Sequence, residues 1–254
     1  MTSTWGNDDL TTDAFLGGKV QLRQPVRGYR AGVDPVLLAA AVPARAGEAV
    51  LELGCGAGAA LFCLGARVPG LALTGVELQP DYADLARQNA ALNGLGAEVV
   101  TCDLRALPAA LRNTSFHHVL ANPPYYDRSR GSAAPDPGRD TALGGDTPLA
   151  DWIAVATRRL RPKGQLTLIQ RADRLPEILA ALTLGSVTVL PIAARLGREA
   201  DRVIVQARKD GRRPFRLLAP LILHASPVHA GDSEDYAAPV QAILREGAAL
   251  ALPD

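Results

Sequence analysis

An apolar run, Ala49-Val50-Leu51-Glu52-Leu53, leads directly into Gly54-Cys55-Gly56-Ala57-Gly58, and a helix-forming stretch from about Ala59 to Ala66 follows. No other feature restricts the fold as much. A buried strand, a glycine-rich turn and a helix, in that order, open a doubly wound α/β sheet that binds ligands beyond its strand ends. The glycines permit the turn and let the backbone approach a ligand closely. The spacing here is GxGxG after the acidic Glu52, which is not the dinucleotide fingerprint.

Three further strands end in chemically loaded turns. Leu71–Val76 ends in Glu77, about 20 residues past the glycines, where an acidic tip is placed to hold ribose hydroxyls. The competing reading is a helix N-terminal charge, since 81–93 is helical. Glu98–Thr101 ends in Cys102-Asp103-Leu104. Asp103 can accept from an adenine amine while the Leu104 N–H donates to a ring nitrogen; a surface-loop aspartate is the alternative. Phe116–Ala121 stops at Asn122-Pro123-Pro124-Tyr125-Tyr126, because the prolines cannot donate to a ladder and Asn122 is held extended before Pro123. Alone, Asn122-Pro123-Pro124-Tyr125 reads as a rigid turn. At the edge shared with the other three ends, its amide, proline carbonyls and aromatic ring suit a planar substrate carrying an NH2 group.

The 254 residues fit one large domain. Low aromatic content with abundant Ala and Leu suits helices packed on a sheet. The net charge of +1 does not announce a nucleic-acid binder. From Asp151 to Arg216, however, fourteen basic residues stand against six acidic ones, a net of +8. Either they share a phosphate-facing surface or they are solvated charges on several faces. Cys55, Cys63 and Cys102 lack CxxC spacing, which points to reduced thiols in a cytoplasmic protein. No signal peptide or membrane-length apolar run is present.

In chain order, residues 1–13 are polar and expected to fray, and 14–25 gives a turn and a short strand or small hairpin. Gly28 to Pro35 is a loop in which Tyr29 and Arg30 either touch a ligand or close the turn. Asp34 before Pro35 predicts an N-cap for a helix over Val36–Val42. Asp127–Pro148 is a long Gly/Pro/Ser/Asp-rich loop of functional or disordered type. Helix Leu149–Leu160 exits through Arg161-Pro162-Lys163-Gly164. Strand Gln165–Gln170, helix Asp173–Leu184, strands Val187–Ala194 and Arg202–Ala207, a short strand in Phe215–His224 and a helix near Val240–Arg245 follow. His224 and His229 read as structural or exposed, and no metal site is expected.

With these residues in place, the chain resembles the class I S-adenosylmethionine-dependent methyltransferases. Glu52-Leu53-Gly54-Cys55-Gly56-Ala57-Gly58 matches their first motif, and Asn122-Pro123-Pro124-Tyr125 that of their amino-group methylases. Within that superfamily the chain is similar to the bacterial tRNA adenine-N6 methylases that act on valine tRNA beside the anticodon. This likeness includes Phe15-Leu16-Gly17-Gly18, Gln24-Pro25, Gly28-Tyr29-Arg30-Ala31-Gly32, Asp34 with Leu37-Leu38, and Ala219–His224. One departure is His117-His118, where such strands often begin Phe-Asp, away from the pocket.

The resemblance implies a Rossmann-like α/β fold with a mostly parallel seven-stranded sheet and helices on both faces. It implies one methyltransferase domain over 1–254: an N-terminal extension and lid (1–46), a catalytic core (47–224) and a tail (225–254). S-adenosylmethionine would be held by Glu52, Gly54, Cys55, Gly56, Gly58, Glu77, Leu78, Asp103, Leu104 and Asn122. Asn122, Pro123, Pro124 and Tyr125 would bind the target amine and stack on its base, with Tyr29, Arg30, Tyr126 and Arg139 as further substrate contacts. The implied partner is tRNA, with no membrane and no metal. The alternatives are N-methylation of a ribosomal RNA guanine or of a protein glutamine, or cofactor binding while docked on RNA without catalysis. The glutamine enzymes usually carry an extra N-terminal helical domain, for which the residues before Gly54 leave no room.

Overall fold

A computed structural model of the chain describes residues 5–125, 147–226 and 235–252. The chain opens with a hairpin, β1 (Leu10–Phe15) and β2 (Val20–Pro25), paired antiparallel from Leu10↔Pro25 to Phe15↔Val20. Within the segment expected to fray over 1–13, residues 7–9 form a 3-10 turn and β1 begins at Leu10. Thr11 and Thr12 are exposed on the hairpin, which is why this stretch reads as polar.

Helix α1 spans Val33–Ala41 and takes Gly32 as its cap. Asp34 is not the N-cap expected from the Asp-Pro pair. It lies one residue inside the helix, and its carboxylate makes tertiary contacts described below. The alternating units follow: β3 (Ala49–Leu53), α2 (Ala59–Arg67), β4 (Ala72–Glu77), α3 (Pro80–Leu92), β5 (Ala97–Thr101), α4 (Ala109–Asn113) and β6 (Phe116–Ala121). Pro80 opens α3, where its missing N–H costs nothing.

From residue 149 onward come α5 (Leu149–Arg159), β7 (Leu160–Arg171), α6 (Leu175–Ala181), β8 (Gly185–Ala193) and β9 (Ala200–Arg208). Two sequence expectations change here. Arg161–Gly164 belongs to β7 rather than to a helix exit, with a register shift against β6 between Phe116 and His118. The helix expected over 173–184 is a 3-10 turn, Ala172–Arg174, followed by the short α6. The extra strand expected in 215–224 is two two-residue strands, β10 (Arg216–Leu217) and β11 (Leu221–Ile222), both parallel to β8. Near the C-terminus, α7 (Ala238–Gln241) continues into a π turn over Ala242–Glu246.

These strands form a nine-stranded sheet in the order β10-β8-β9-β7-β6-β3-β4-β5, with β11 beside β8. Seven of them are long, and all pair in parallel except β9, which runs against both β7 and β8. Strand order departs in both directions from β3, so the carboxyl ends of β3, β4, β5 and β6 border one crevice. Two large apolar clusters pack the sheet faces. One unites α1 and α2 with hairpin residues Leu16, Val20 and Leu22 and with C-terminal Val240 and Ile243. The other packs Trp152, Val155 and Ala156 of α5 and Leu111 of α4 against β3, β6 and β7. Among the described residues, no helix is long and apolar enough to cross a membrane.

The edge of β2 is covered by side chains rather than by a strand. Asn89 in α3 and Asn93, one turn further on at the helix's C-cap, face it together. Asn89 Oδ1 accepts from the Arg23 N–H (2.8 Å), and its amide donates to the Arg23 and Ala57 carbonyls (both 3.0 Å). Asn93 repeats the exchange with the Gln21 N–H (2.8 Å) and carbonyl (2.7 Å). Asn89 is fully buried, so removing its amide leaves backbone groups without partners, at ~1–3 kcal/mol per group. Asn89→Ala is therefore expected to lower unfolding free energy by about 3 kcal/mol in urea titration, more than Asn93→Ala at its half-exposed end.

Candidate functional site

The crevice holds a cavity of about 520 Å³, within the range of roughly 300–1,000 Å³ usual for small-molecule sites. Its floor is the glycine loop. Gly54, Gly56 and Gly58 all adopt positive φ (67°, 54° and 92°). A Cβ on Gly54 would lie 2.5 Å from the Trp152 ring, and one on Gly58 2.0 Å from Phe62, whereas Gly56 faces open space. The loop is thus pressed onto α5 and α2 and presents bare backbone to the cavity.

Glu77, at the tip of β4, braces this loop. One carboxylate oxygen accepts from the Gly56 N–H (2.9 Å) and the other from the Gln79 N–H (2.8 Å). Burial raises its pKa, against the pull of those backbone donors. Each oxygen keeps a second lone pair that can accept from a hydroxyl. Glu52 is buried beneath the loop, and desolvation pushes its carboxyl well above the usual range. Burial likewise raises the Cys55 thiol well above its ordinary value, so Cys55 is a neutral wall residue.

Asp103 also lines the cavity, but Arg105 grips its carboxylate through Nε (3.1 Å) and Nη2 (2.7 Å). That pairing holds its pKa low. An adenine amine reaching Asp103 shares it with Arg105, a partner the sequence reading missed. Leu78 is 53% exposed at the rim, and Leu104 is buried behind Asp103.

The Asn122–Tyr125 segment forms the opposite wall. Asn122 Oδ1 is buried and has no hydrogen-bond partner among the described residues. Gln170, fully buried at the end of β7, donates from Nε2 to the Pro123 (3.1 Å) and Pro124 (3.3 Å) carbonyls. Arg174 Nη1 also donates to the Pro124 carbonyl (3.3 Å). The Pro123 carbonyl therefore accepts one bond and keeps a lone pair for another, whereas the Pro124 carbonyl already accepts two. The Tyr125 hydroxyl donates to Asp34, whose other oxygen pairs with Arg202. Trp152 Nε1 is a second buried group in this wall without a partner among the described residues.

Tyr29 and Arg30 both border the cavity. The Tyr29 backbone exchanges bonds with the Tyr82 hydroxyl, accepting at 3.2 Å and donating at 2.8 Å. Arg30 is tied to Asp13 (2.6 Å), Thr11 (2.7 Å) and the Pro25 carbonyl (2.9 Å). Gln24, buried below, accepts from the Ala31 N–H and donates to Asp13, both at 2.7 Å. These contacts anchor the loop to the hairpin, as the turn-closing reading of Tyr29 and Arg30 expects, and leave both residues at the cavity border. Tyr126, Arg139 and residues 127–146 of the segment expected to form a loop lie outside the described residues, as does His229. His224 pairs with Asp235 (2.7 Å). His117 and His118 sit at the far end of β6, bonded to the Ala49 N–H (3.1 Å) and Glu48 (2.8 Å).

The basic residues of 151–216 do not gather on one face. Arg171 and Arg202, paired across β7 and β9, lie at the pocket edge with Arg174, Arg195 and Arg198. Arg158, Arg159, Arg161, Lys163, Arg208 and Lys209 lie at the opposite edge, where β7 begins and β9 ends. Among the described residues, no group of three or more His, Cys, Asp or Glu is arranged to hold a metal ion.

Comparison with known proteins agrees with this geometry. A family model described as a methyltransferase domain matches residues 50–130. A Porphyromonas gingivalis protein named tRNA1(Val) (adenine(37)-N6)-methyltransferase is 32% identical over 250 residues, covering 89% of this chain and 96% of that one. The chain belongs to the class I S-adenosylmethionine-dependent methyltransferases. A crystal structure from Agrobacterium tumefaciens, described as a predicted O-methyltransferase, superposes with a TM-score of 0.69 at 29% identity, covering 87% of this chain and all of that one. The Thermus thermophilus 16S rRNA N2 G1207 methyltransferase, in complex with AdoMet and guanosine, shares the fold at a TM-score of 0.55 and 22% identity, covering 79% of this chain and half of that one.

S-adenosylmethionine is the cofactor of this methyltransferase fold, and the residues present fit it. Bare backbone at Gly56, a carboxylate at the tip of β4 and the apolar Leu78 rim supply what a sulfonium amino acid, a ribose and a purine need. Glu77→Gln replaces one of the two acceptor oxygens with a donor, so one of the two backbone bonds is lost. Calorimetric affinity for S-adenosylmethionine is expected to fall about tenfold, which is ~1.4 kcal/mol. An unchanged affinity would remove Glu77 from the cofactor site.

Proposed function

We propose that this methyltransferase acts on the exocyclic N6 amine of an adenine in tRNA, beside the anticodon of valine tRNA. The observation that carries the reading is the buried Asn122 Oδ1 without a partner among the described residues, in the cavity wall beside two proline carbonyls. A buried acceptor without a partner costs ~1–3 kcal/mol, and a planar amine relieves that cost by donating to it. The named substrate of the Porphyromonas gingivalis relative, which covers nearly the whole chain, supports adenine in tRNA.

S-adenosylmethionine supplies an electrophilic methyl group. The chain's own residues orient the acceptor. Asn122 Oδ1 accepts one amine hydrogen and the Pro123 carbonyl the other, which turns the nitrogen lone pair out of conjugation and toward the donor. An aromatic amine needs this because its lone pair is delocalised into the ring. Positioning and electrostatic stabilisation suffice, with no strong base. Tyr125 offers its ring to the base, and a nucleotide in folded RNA must be splayed out to reach it. Base–aromatic stacking of ~1–3 kcal/mol offsets part of that cost.

The test is transfer of radiolabelled methyl groups to total bacterial tRNA, followed by nucleoside digestion. Label is expected in N6-methyladenosine, reduced at least ~100-fold by Asn122→Ala. Label in ribosomal RNA guanine or in a release-factor glutamine, with none in tRNA, would overturn the tRNA reading.

A further inference from the structure

Asp34 joins three distant parts of the chain inside the cavity wall. It stands in the first turn of α1. One carboxylate oxygen accepts from the Tyr125 hydroxyl, 91 residues away, and the other pairs with the Arg202 guanidinium, 168 residues away. The Asp34 and Arg202 side chains are only 13% and 22% exposed. All three residues line the cavity.

Local roles do not account for this carboxylate. Gly32 occupies the cap position of α1, and no side chain caps it. A partly buried ion pair adds little net stability once desolvation is counted. What the arrangement does supply is direction. A tyrosine ring has two side-chain torsions, and anchoring its hydroxyl at the far end fixes both. Gln170 and Arg174 hold the carbonyls of the preceding prolines, so the backbone under the ring is fixed from the other side.

We propose that Asp34 is a positioning residue for the methyl acceptor, anchoring the Tyr125 hydroxyl, with Arg202 fixing the carboxylate, so that the ring plane is set before the base arrives. This rests on the reading of the pocket as a site for a planar amine. The protonation states suit the role. Burial and the neighbouring Asp34 carboxylate raise the Tyr125 hydroxyl above its usual range, which keeps it a donor. Burial opposes the charge on Arg202, but Asp34 and Asp201 outweigh it and raise its pKa, so it stays a cation.

The experiment is a double-mutant cycle on methyl transfer to tRNA, reading kcat, KM for tRNA, cofactor affinity and thermal midpoint. Tyr125→Phe keeps the ring and removes the anchor, and Asp34→Ala removes the acceptor. Each is expected to lower kcat about tenfold, with cofactor affinity within twofold. Because both break one contact, Asp34→Ala combined with Tyr125→Phe is expected to match the worse single variant. Asp34→Asn, whose amide oxygen still accepts from Tyr125, is expected to recover part of the loss. Multiplying losses in the double variant, or a lowered thermal midpoint with unchanged kcat, would overturn the proposal. Should Asp34→Ala fail to fold, Asp34→Asn and Arg202→Gln, each in wild-type and Tyr125→Phe backgrounds, are judged by the same criterion. A wild-type protein that labels no tRNA overturns the functional reading and this inference with it. A wild-type protein that labels tRNA beside additive variants overturns this inference alone.

Discussion

A buried carbonyl oxygen without a partner is a cost that folded chains rarely keep, and Asn122, at the end of a central strand, carries one that no other described residue satisfies. The surrounding structure prevents it from relaxing. Asn122 is confined by the proline that follows it. Gln170, inside β7, holds the next two carbonyls, and Asp34 holds the tyrosine hydroxyl beyond them. Two elements far apart in sequence, together with the local proline constraint, thus immobilise four residues. Preorganisation of this kind lets a site act on a weak nucleophile, because the orienting groups need not rearrange when the acceptor binds.

The N-terminal segment contributes to the same rigidity. Its hairpin is locked to α3 by Asn89 and Asn93, which satisfy the edge of β2 and leave no template for a further strand. Asn89 also binds the Ala57 carbonyl in the glycine loop. One side chain therefore connects the hairpin to the cofactor floor. Tyr82, on the same helix, exchanges bonds with the Tyr29 backbone and fixes the loop that leads to Asp34. The C-terminal residues close the arrangement from outside, with Leu250 N–H donating to the Ala40 carbonyl (2.8 Å) and Lys19 to the Glu246 carbonyl (2.7 Å).

The elements that bear local signals were legible in the sequence. β3 and β6 begin and end where their apolar runs do, and the glycine loop, Glu77, Asp103 and Asn122 all border one cavity. What stayed hidden depends on partners remote in the chain. Asp34 before Pro35 has the local form of a cap, yet α1 begins one residue ahead of it and the carboxylate turns to Tyr125 and Arg202. Gln170 and Arg202 look like ordinary residues at strand ends, and Trp152 like one more apolar residue on an amphipathic helix. Only the sheet order, with β9 turned against β7, brings Arg202 to the pocket edge. Polar Thr11 and Thr12 masked β1, because an exposed hairpin strand needs few apolar residues. The basic run over 151–216 was ambiguous for the same reason: strand direction, which composition does not encode, sends its members to opposite edges.

The central claim is that Asn122 Oδ1 is an acceptor reserved for a planar amine. A structure of the protein with S-adenosylhomocysteine and an adenosine-bearing acceptor tests it most directly. The account predicts the adenine N6 within about 3.2 Å of Asn122 Oδ1, the Pro123 carbonyl on its other hydrogen and the Tyr125 ring against its face. An adenine bound with N6 turned away, or Asn122 Oδ1 satisfied by the chain itself in the complex, would contradict it.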